Sequence, residues 1–194
     1  MRYLIVSLLL IGFSACDSRS VAPASPQTVA ASPPPKTRLE QFQIKTGSVV
    51  IKGFTEIGTA EGSFGSTLTV SAMEFTDAST GAKQFGVTFD IKGTGEYPQK
   101  GTSYVDLDEV DSLLKGIDYI GHADKSVTKL ANFEATYRTK GDFAITTFSS
   151  SSTGTMFSVQ SGRFSTANAY FNISELPKVR ELVQKAQATL QSIK

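Results

Sequence analysis

Two short segments of the chain share one pattern. "YVDLDEV" spans residues 104–110, and "YFNISEL" spans residues 170–176. Each has tyrosine, an apolar residue, Asp or Asn, an apolar residue, a polar cap residue, glutamate and an apolar residue. The pattern is typical of a strand that runs into a capped helix, with Asp108 and Ser174 as the N-caps. We therefore predict the plan ββββα twice, as an internal duplication, although two unrelated junctions that converged on one solution explain the likeness as well.

Both predicted helices are amphipathic. Residues 109–120 and residues 175–193 each place apolar side chains along one helical face. Pro177 falls in the first turn of the second helix, where its missing N–H removes no hydrogen bond. Each helix therefore needs an apolar surface to pack against.

Alternation of apolar and polar residues predicts the strands. In "QFGVTFDIK", residues 84–92, the apolar side chains share one face, and "ANFEATYR", residues 131–138, alternates equally well. "TKGD", residues 139–142, predicts a tight turn into "FAITTFS". The remaining strands are predicted at 48–58, 67–76, 100–107, 155–160 and 163–172. The expected fold is α+β, with antiparallel sheet covered by two amphipathic helices. It forms one domain, residues 38–194, with repeats at 38–121 and 122–194.

The first sixteen residues have the features of a secretory signal. Arg2 precedes an apolar run from Tyr3 to Phe13, which is too short to span a bilayer. Ser14 and Ala15 then precede Cys16. The segment resembles the lipobox of bacterial lipoproteins, with Phe13 in place of the usual leucine. The resemblance implies cleavage between Ala15 and Cys16, and lipidation of Cys16.

Lipidation would explain why the chain has a single cysteine. An acylated Cys16 leaves no thiol for a disulfide, and palmitate and further acyl chains would anchor the protein firmly. Asp17 resembles the residue that retains enterobacterial lipoproteins in the inner membrane. The alternatives are an ordinary signal peptide cut nearby and a retained short anchor. The expected location is the bacterial cell envelope, facing the periplasm or the exterior, with inner or outer membrane left open.

Residues 16–37 form the predicted tether. Residues 17–37 hold five of the seven prolines and no aromatic residue, a composition that cannot offset the entropy of ordering. We expect an extended, disordered segment that holds the domain away from the membrane. A proline-motif ligand is the alternative.

Charge excludes some partners. The formal net charge is +1, so no polyanion is indicated, and nucleic acid is not an expected partner. Residues 38–121 carry seven Lys/Arg and twelve Asp/Glu, whereas residues 122–194 carry nine and five. This asymmetry predicts either attraction between the halves or a polarised surface for a charged partner.

Few residues suggest chemistry. His122 is the only histidine, and we interpret it as a surface residue at a helix end. Four acids, Asp106, Asp108, Glu109 and Asp111, are explained by the helix dipole, with a calcium site as the alternative. "GTAEGSFGS", residues 58–66, lacks the ending of a P-loop. No catalytic, metal or cofactor site is predicted.

The leading hypothesis is a lipid-anchored, non-catalytic domain that binds an envelope protein or another envelope component. The alternative is a small envelope hydrolase that uses Ser, Asp or Glu. A third hypothesis comes from the repeated ββββα plan, which looks like that of Whirly-type single-strand nucleic-acid binders, although their Lys-Gly-Lys-Ala stretch is missing. The oligomeric state is left open.

Overall fold

The computed structural model describes residues 34–94, 97–150, 154–162 and 166–194. The predictions for Ala15, Cys16 and Asp17, and most of the predicted tether, lie outside these residues. The α-helices are α1 (Arg38–Gln43), α2 (Val110–Gly121) and α3 (Leu176–Ile193). The strands are β1 (Val50–Glu61), β2 (Thr67–Asp77), β3 (Lys83–Lys92), β4 (Lys100–Asp106), β5 (Glu134–Arg138), β6 (Ala144–Ser150), β7 (Gly154–Ser161) and β8 (Ala167–Asn172).

The strands form two antiparallel four-stranded sheets. Sheet A has the order β1-β2-β3-β4, and sheet B has the order β5-β6-β7-β8, so each is a meander of consecutive strands. The predicted α+β class and the antiparallel pairing are confirmed. A helix follows each sheet in the chain, because the strand period of two changes to a helical period after β4 and after β8.

Both helices begin in a way that the sequence did not predict. A 3₁₀ turn, Leu107–Glu109 before α2 and Ile173–Glu175 before α3, joins the strand to the helix. Asp108 and Ser174 lie within these turns, so the prediction that they are N-caps is wrong. The preceding residues, Asp106 and Asn172, have nearly the same extended backbone, with φ/ψ of −64°/146° and −68°/147°.

The two longer helices exchange sheets. α3, which follows sheet B, packs on β1, β2 and β3 of sheet A, and α2, which follows sheet A, packs on β5 and β6 of sheet B. The inner faces of both sheets and both helices form one apolar core. Phe89 stacks on Phe143 across the two halves, with ring centroids 4.0 Å apart. Neither half therefore has a core of its own.

The turn between β5 and β6 forms as predicted for residues 139–142. Across it, the Thr139 N–H donates to the Phe143 carbonyl oxygen at 2.8 Å and the Phe143 N–H donates to Thr139 Oγ1 at 3.1 Å. Asp142 has a φ of 64°. Gly141 lies so close to the sheet that a Cβ atom would be 1.8 Å from the Tyr104 carbonyl oxygen. Glycine is required there because any side chain would displace β4.

Helix α1 is an element that the sequence analysis missed. Thr37 caps it, and Glu40 completes a capping box. Thr37 is buried, and the Lys36 ammonium lies 2.6 Å from the Asp142 carboxylate. The last two residues of the predicted tether thus contact the folded domain. No helix in the described part of the chain has the length and apolarity to cross a membrane.

Candidate binding surface on sheet B

The registers of the two sheets give matching positions on their outer faces, which point away from the shared core. In sheet A, Met73 lies opposite Gly86, and Gly86 lies opposite Asp106. In sheet B, Phe148 lies opposite Met156, and Met156 lies opposite Asn172. Asp106 and Asn172 are the last strand residues before the two helix junctions. The row Met73, Gly86 and Asp106 in sheet A therefore matches the row Phe148, Met156 and Asn172 in sheet B.

Helix α1 covers this row in sheet A. The Leu39 side chain is fully buried with Met73 and Phe75. Gly86 makes room for it, since a Cβ at that position would lie 2.3 Å from Leu39 Cδ1 and 2.3 Å from the Val105 carbonyl oxygen. The sequence favours this local structure because a short helix with one leucine meets a glycine in the strand below it.

Asp106 also holds α1. Its carboxylate accepts hydrogen bonds from the Arg38 N–H at 3.0 Å and from the Leu39 N–H at 3.2 Å. These are N–H groups of the first helical turn, which have no partner inside a helix. Asp106, in strand β4, therefore accepts hydrogen bonds from the first turn of α1. The sequence analysis missed this role because it treated Asp106 only as a member of an acidic cluster.

No described helix covers the matching row in sheet B. Phe148 and Met156 are partly exposed, and Tyr170, on the next row of the same face, is 42% exposed. Phe148 and Tyr170 meet edge to face, with ring centroids 6.5 Å apart, an arrangement that aromatic pairs prefer. We call Phe148, Met156 and Tyr170 the sheet B patch.

Polar side chains surround the sheet B patch. The outer-face rows carry two charged residues among the described positions, Glu134 and Arg138, so this face is neutral. The Arg138 guanidinium donates to Gln160 Oε1 at 3.3 Å. An aromatic and methionine centre with a neutral polar rim is the composition of a protein-binding surface. It lacks the positive charge that binding to a phosphate backbone requires.

The sequence carried a weak signal for this surface. In β8, buried Ala167, Ala169 and Phe171 alternate with exposed Asn168, Tyr170 and Asn172. A tyrosine on the polar side of an alternating strand is a candidate contact residue. The signal was missed because Tyr170 was interpreted only as part of the repeated strand-to-helix pattern.

His122 lies beside concave surface at the end of α2. It is exposed at the C-terminal end of α2, as predicted, and its Nδ1 lies 2.6 Å from the Asp118 carbonyl oxygen. The Asp118 carboxylate is held by Arg180 through bonds of 2.5 and 3.0 Å, and this hydrogen-bonded guanidinium lowers the pKa of Asp118. Arg180 belongs to the basic half, residues 122–194, and Asp118 belongs to the acidic half, residues 38–121. Their ion pair is therefore one attraction between the two halves.

Two shallow hollows of about 240 and 430 Å³ lie beside His122. Asp118 is the carboxylate in both, and among the described residues no serine, threonine or cysteine lines either one. An ionised carboxylate that is already bound by arginine is a poor general base. This region therefore gives no support to the hydrolase alternative.

The four acids of the predicted cluster diverge. Asp108 pairs with Arg38. Glu109 accepts a hydrogen bond from the Lys140 N–H at 2.9 Å, and Asp111 accepts one from the Gln187 side-chain amide at 2.6 Å. Asp106 binds α1 from strand β4 and shares Arg38 with Asp108, so each of the four carboxylates is bonded to a protein group. Among the described residues, no group of His, Cys, Asp or Glu could hold a metal ion.

The remaining sequence motifs add no chemistry. Residues 58–66 form the end of β1 and a 3₁₀ turn at Ser63–Gly65, not a phosphate loop. Compared with known proteins, the chain matches no family model, no curated protein and no solved structure.

Proposed function

We propose that this protein is a lipid-anchored component of the bacterial cell envelope whose domain binds another envelope protein through the sheet B patch. Anchoring rests on the lipoprotein-like residues 1–16 and on the lone Cys16. Binding rests on one observation: the outer face of sheet B leaves Phe148 and Met156 partly exposed and Tyr170 exposed, where α1 covers the matching part of sheet A.

The covered face of sheet A shows how such a surface is used within the domain itself. There, a short helix places one leucine onto the sheet and donates two backbone N–H hydrogen bonds to the Asp106 carboxylate of the adjacent strand. In sheet B, Met156 occupies the position of Gly86, so the cleft for such a leucine is filled. The partner of sheet B should therefore present a flatter surface with mixed apolar and neutral polar groups.

The two halves also support an internal duplication. Asp106 and Asn172 share one backbone conformation, the 3₁₀ turn follows in both halves, and the strand order is the same. We infer that sheet B arose as a copy of sheet A without an equivalent of α1, which left its outer face available to a partner. The nucleic-acid alternative lacks support because this face is neutral.

Site-specific photocrosslinking in native membranes tests the binding surface. A photoreactive amino acid at Tyr170 should yield a discrete cross-linked product with another protein, since this side chain lies in the sheet B patch. The matched control is Tyr119, a 74% exposed tyrosine on α2, which should yield no such product. Equal products from both positions, or none from Tyr170, would contradict the proposal.

A separate measurement tests the anchor. Cys16→Ala should abolish labelling by a fatty-acid probe and release the protein from membranes, because the lipid-bearing sulfur is removed. Full labelling of this variant would overturn the lipoprotein assignment while leaving the sheet B patch to be judged by its own experiment.

A further inference from the structure

Strand β1 is a long edge strand. It pairs with β2 on one side, and it ends sheet A on the other side in the described structure. All residues from Ile51 to Glu56 are exposed, including the Phe54 ring at 70%. A register shift between Glu56 and Gly58 marks a β-bulge, so residues 50–56 form the regular part of this edge.

The hydrogen-bond pattern identifies the groups that point outward. The Ala78 N–H donates to the Val49 carbonyl oxygen at 2.9 Å. Hydrogen-bonded pairs alternate along an antiparallel ladder, so Ile51 and Gly53 direct their backbone groups to β2. Lys52, Phe54 and Glu56 therefore direct their N–H and C=O groups to the open edge.

The same three residues share one side-chain face. Lys52 and Glu56 flank Phe54 at equal spacing, and the Lys52 ammonium lies 5.0 Å from the centroid of the Phe75 ring on the outer face. Four residues along a strand span about 13 Å, so Lys52 and Glu56 cannot pair within one chain. No ion pair between described residues uses either of them.

We infer that β1 pairs with β1 of a second copy of this chain, antiparallel and with the two-fold axis at Phe54. This register places Lys52 of one copy opposite Glu56 of the other, twice, and Phe54 opposite Phe54. The paired residues are the ones whose backbone groups face the edge, so the register satisfies the ladder and the charges together. The two A sheets then form one eight-stranded sheet, and both sheet B patches remain outside the new interface.

A second copy fits this edge better than an unrelated peptide because the charges are self-complementary. An antiparallel two-fold register needs opposite charges at equal distances from its centre, and Lys52 and Glu56 meet this condition. Lysine residues and β-bulges protect open edges, but Lys52 would meet Glu56 of the second copy in this register. In β1, the bulge lies after the paired stretch.

Disulfide mapping of the purified full chain tests the register. Under mild oxidation, Phe54→Cys should form severalfold more covalent dimer than Phe64→Cys, an exposed control that also reports any cross-linking through Cys16. A mixture of Lys52→Cys and Glu56→Cys chains should cross-link better than either alone, because these positions lie opposite each other. Equal yields in the variants and the control would overturn the inference.

Exchanging the charges of Lys52 and Glu56 tests the same register without introducing a cysteine. Lys52→Glu or Glu56→Lys alone should lower the dimer association constant about tenfold, since each places like charges opposite each other. The double variant with both changes should restore the association measured by sedimentation. A monomeric wild-type chain, or a double variant as weak as the single ones, would overturn the inference.

Discussion

In sheet A, α1 lies across the outer face and buries Met73 and Phe75, whereas in sheet B the side chains at the matching row remain partly exposed. The inner faces do not differ in this way, because α2 and α3 exchange sheets and close one common core. Two sheets with one strand order thus have different outer surfaces. An element of six residues, α1, therefore decides which outer face is covered.

The largest expected effect comes from separating the halves. Residues 34–121 and 122–194, produced as two chains, should each lack near-UV circular dichroism and cooperative unfolding, because each sheet loses the helix that covers its inner face. Mixing the two chains should restore the native spectrum. A half that unfolds cooperatively by itself would break the claim that the inner faces share one core.

The next largest effect on stability should come from a glycine substitution on the outer face of sheet A. Gly86→Ala places a Cβ against Leu39 and the Val105 carbonyl oxygen, so it should lower the free energy of unfolding by about 3 kcal/mol. Met156→Ala, at the matching position, should cost about 1 kcal/mol or less because that side chain is partly exposed. Urea denaturation of the full chain gives both values, and similar losses would contradict the comparison.

The carboxylate that caps α1 should have a smaller effect than Gly86. Asp106→Ala leaves the Arg38 and Leu39 N–H groups without their acceptor and should cost about 2 kcal/mol. Asn172→Ala, at the matching exposed position of sheet B, should change stability by about 0.5 kcal/mol or less. The same urea titrations measure both. Equal effects would show that α1 does not depend on Asp106.

The smallest effect concerns the pair that joins the helices of the two halves. Arg180 lowers the pKa of Asp118, so the pair stabilises the fold above the unfolded-state pKa of about 4 and loses this contribution as the pH falls. Arg180→Gln should lower stability at pH 7 only slightly, since both groups are well exposed. The difference from wild type should shrink below pH 4. A difference independent of pH would contradict this account.

Periodicity predicted the sheets and both long helices because alternation and helical spacing report which side chains meet the core. It could not predict α1, since six residues carry too little periodicity and the helix depends on Asp106, which is distant in sequence. The N-caps were wrong because Asp108 and Ser174 have suitable chemistry but lie in 3₁₀ turns. The sheet B patch depends on the register of the strands and on the absence of a described helix over that face. Local sequence patterns predict neither of these.

Methionine oxidation measures how far each outer face is open to solvent and to a partner. Met73 lies under α1 on sheet A, at 9% exposure, and Met156 lies in the sheet B patch. In the purified full chain, peroxide should oxidise Met156 faster than Met73, and peptide mass spectrometry measures both rates. In native membranes, a bound partner should slow oxidation of Met156 toward the rate of Met73. An unchanged Met156 rate in membranes would contradict the proposal that this face binds a partner.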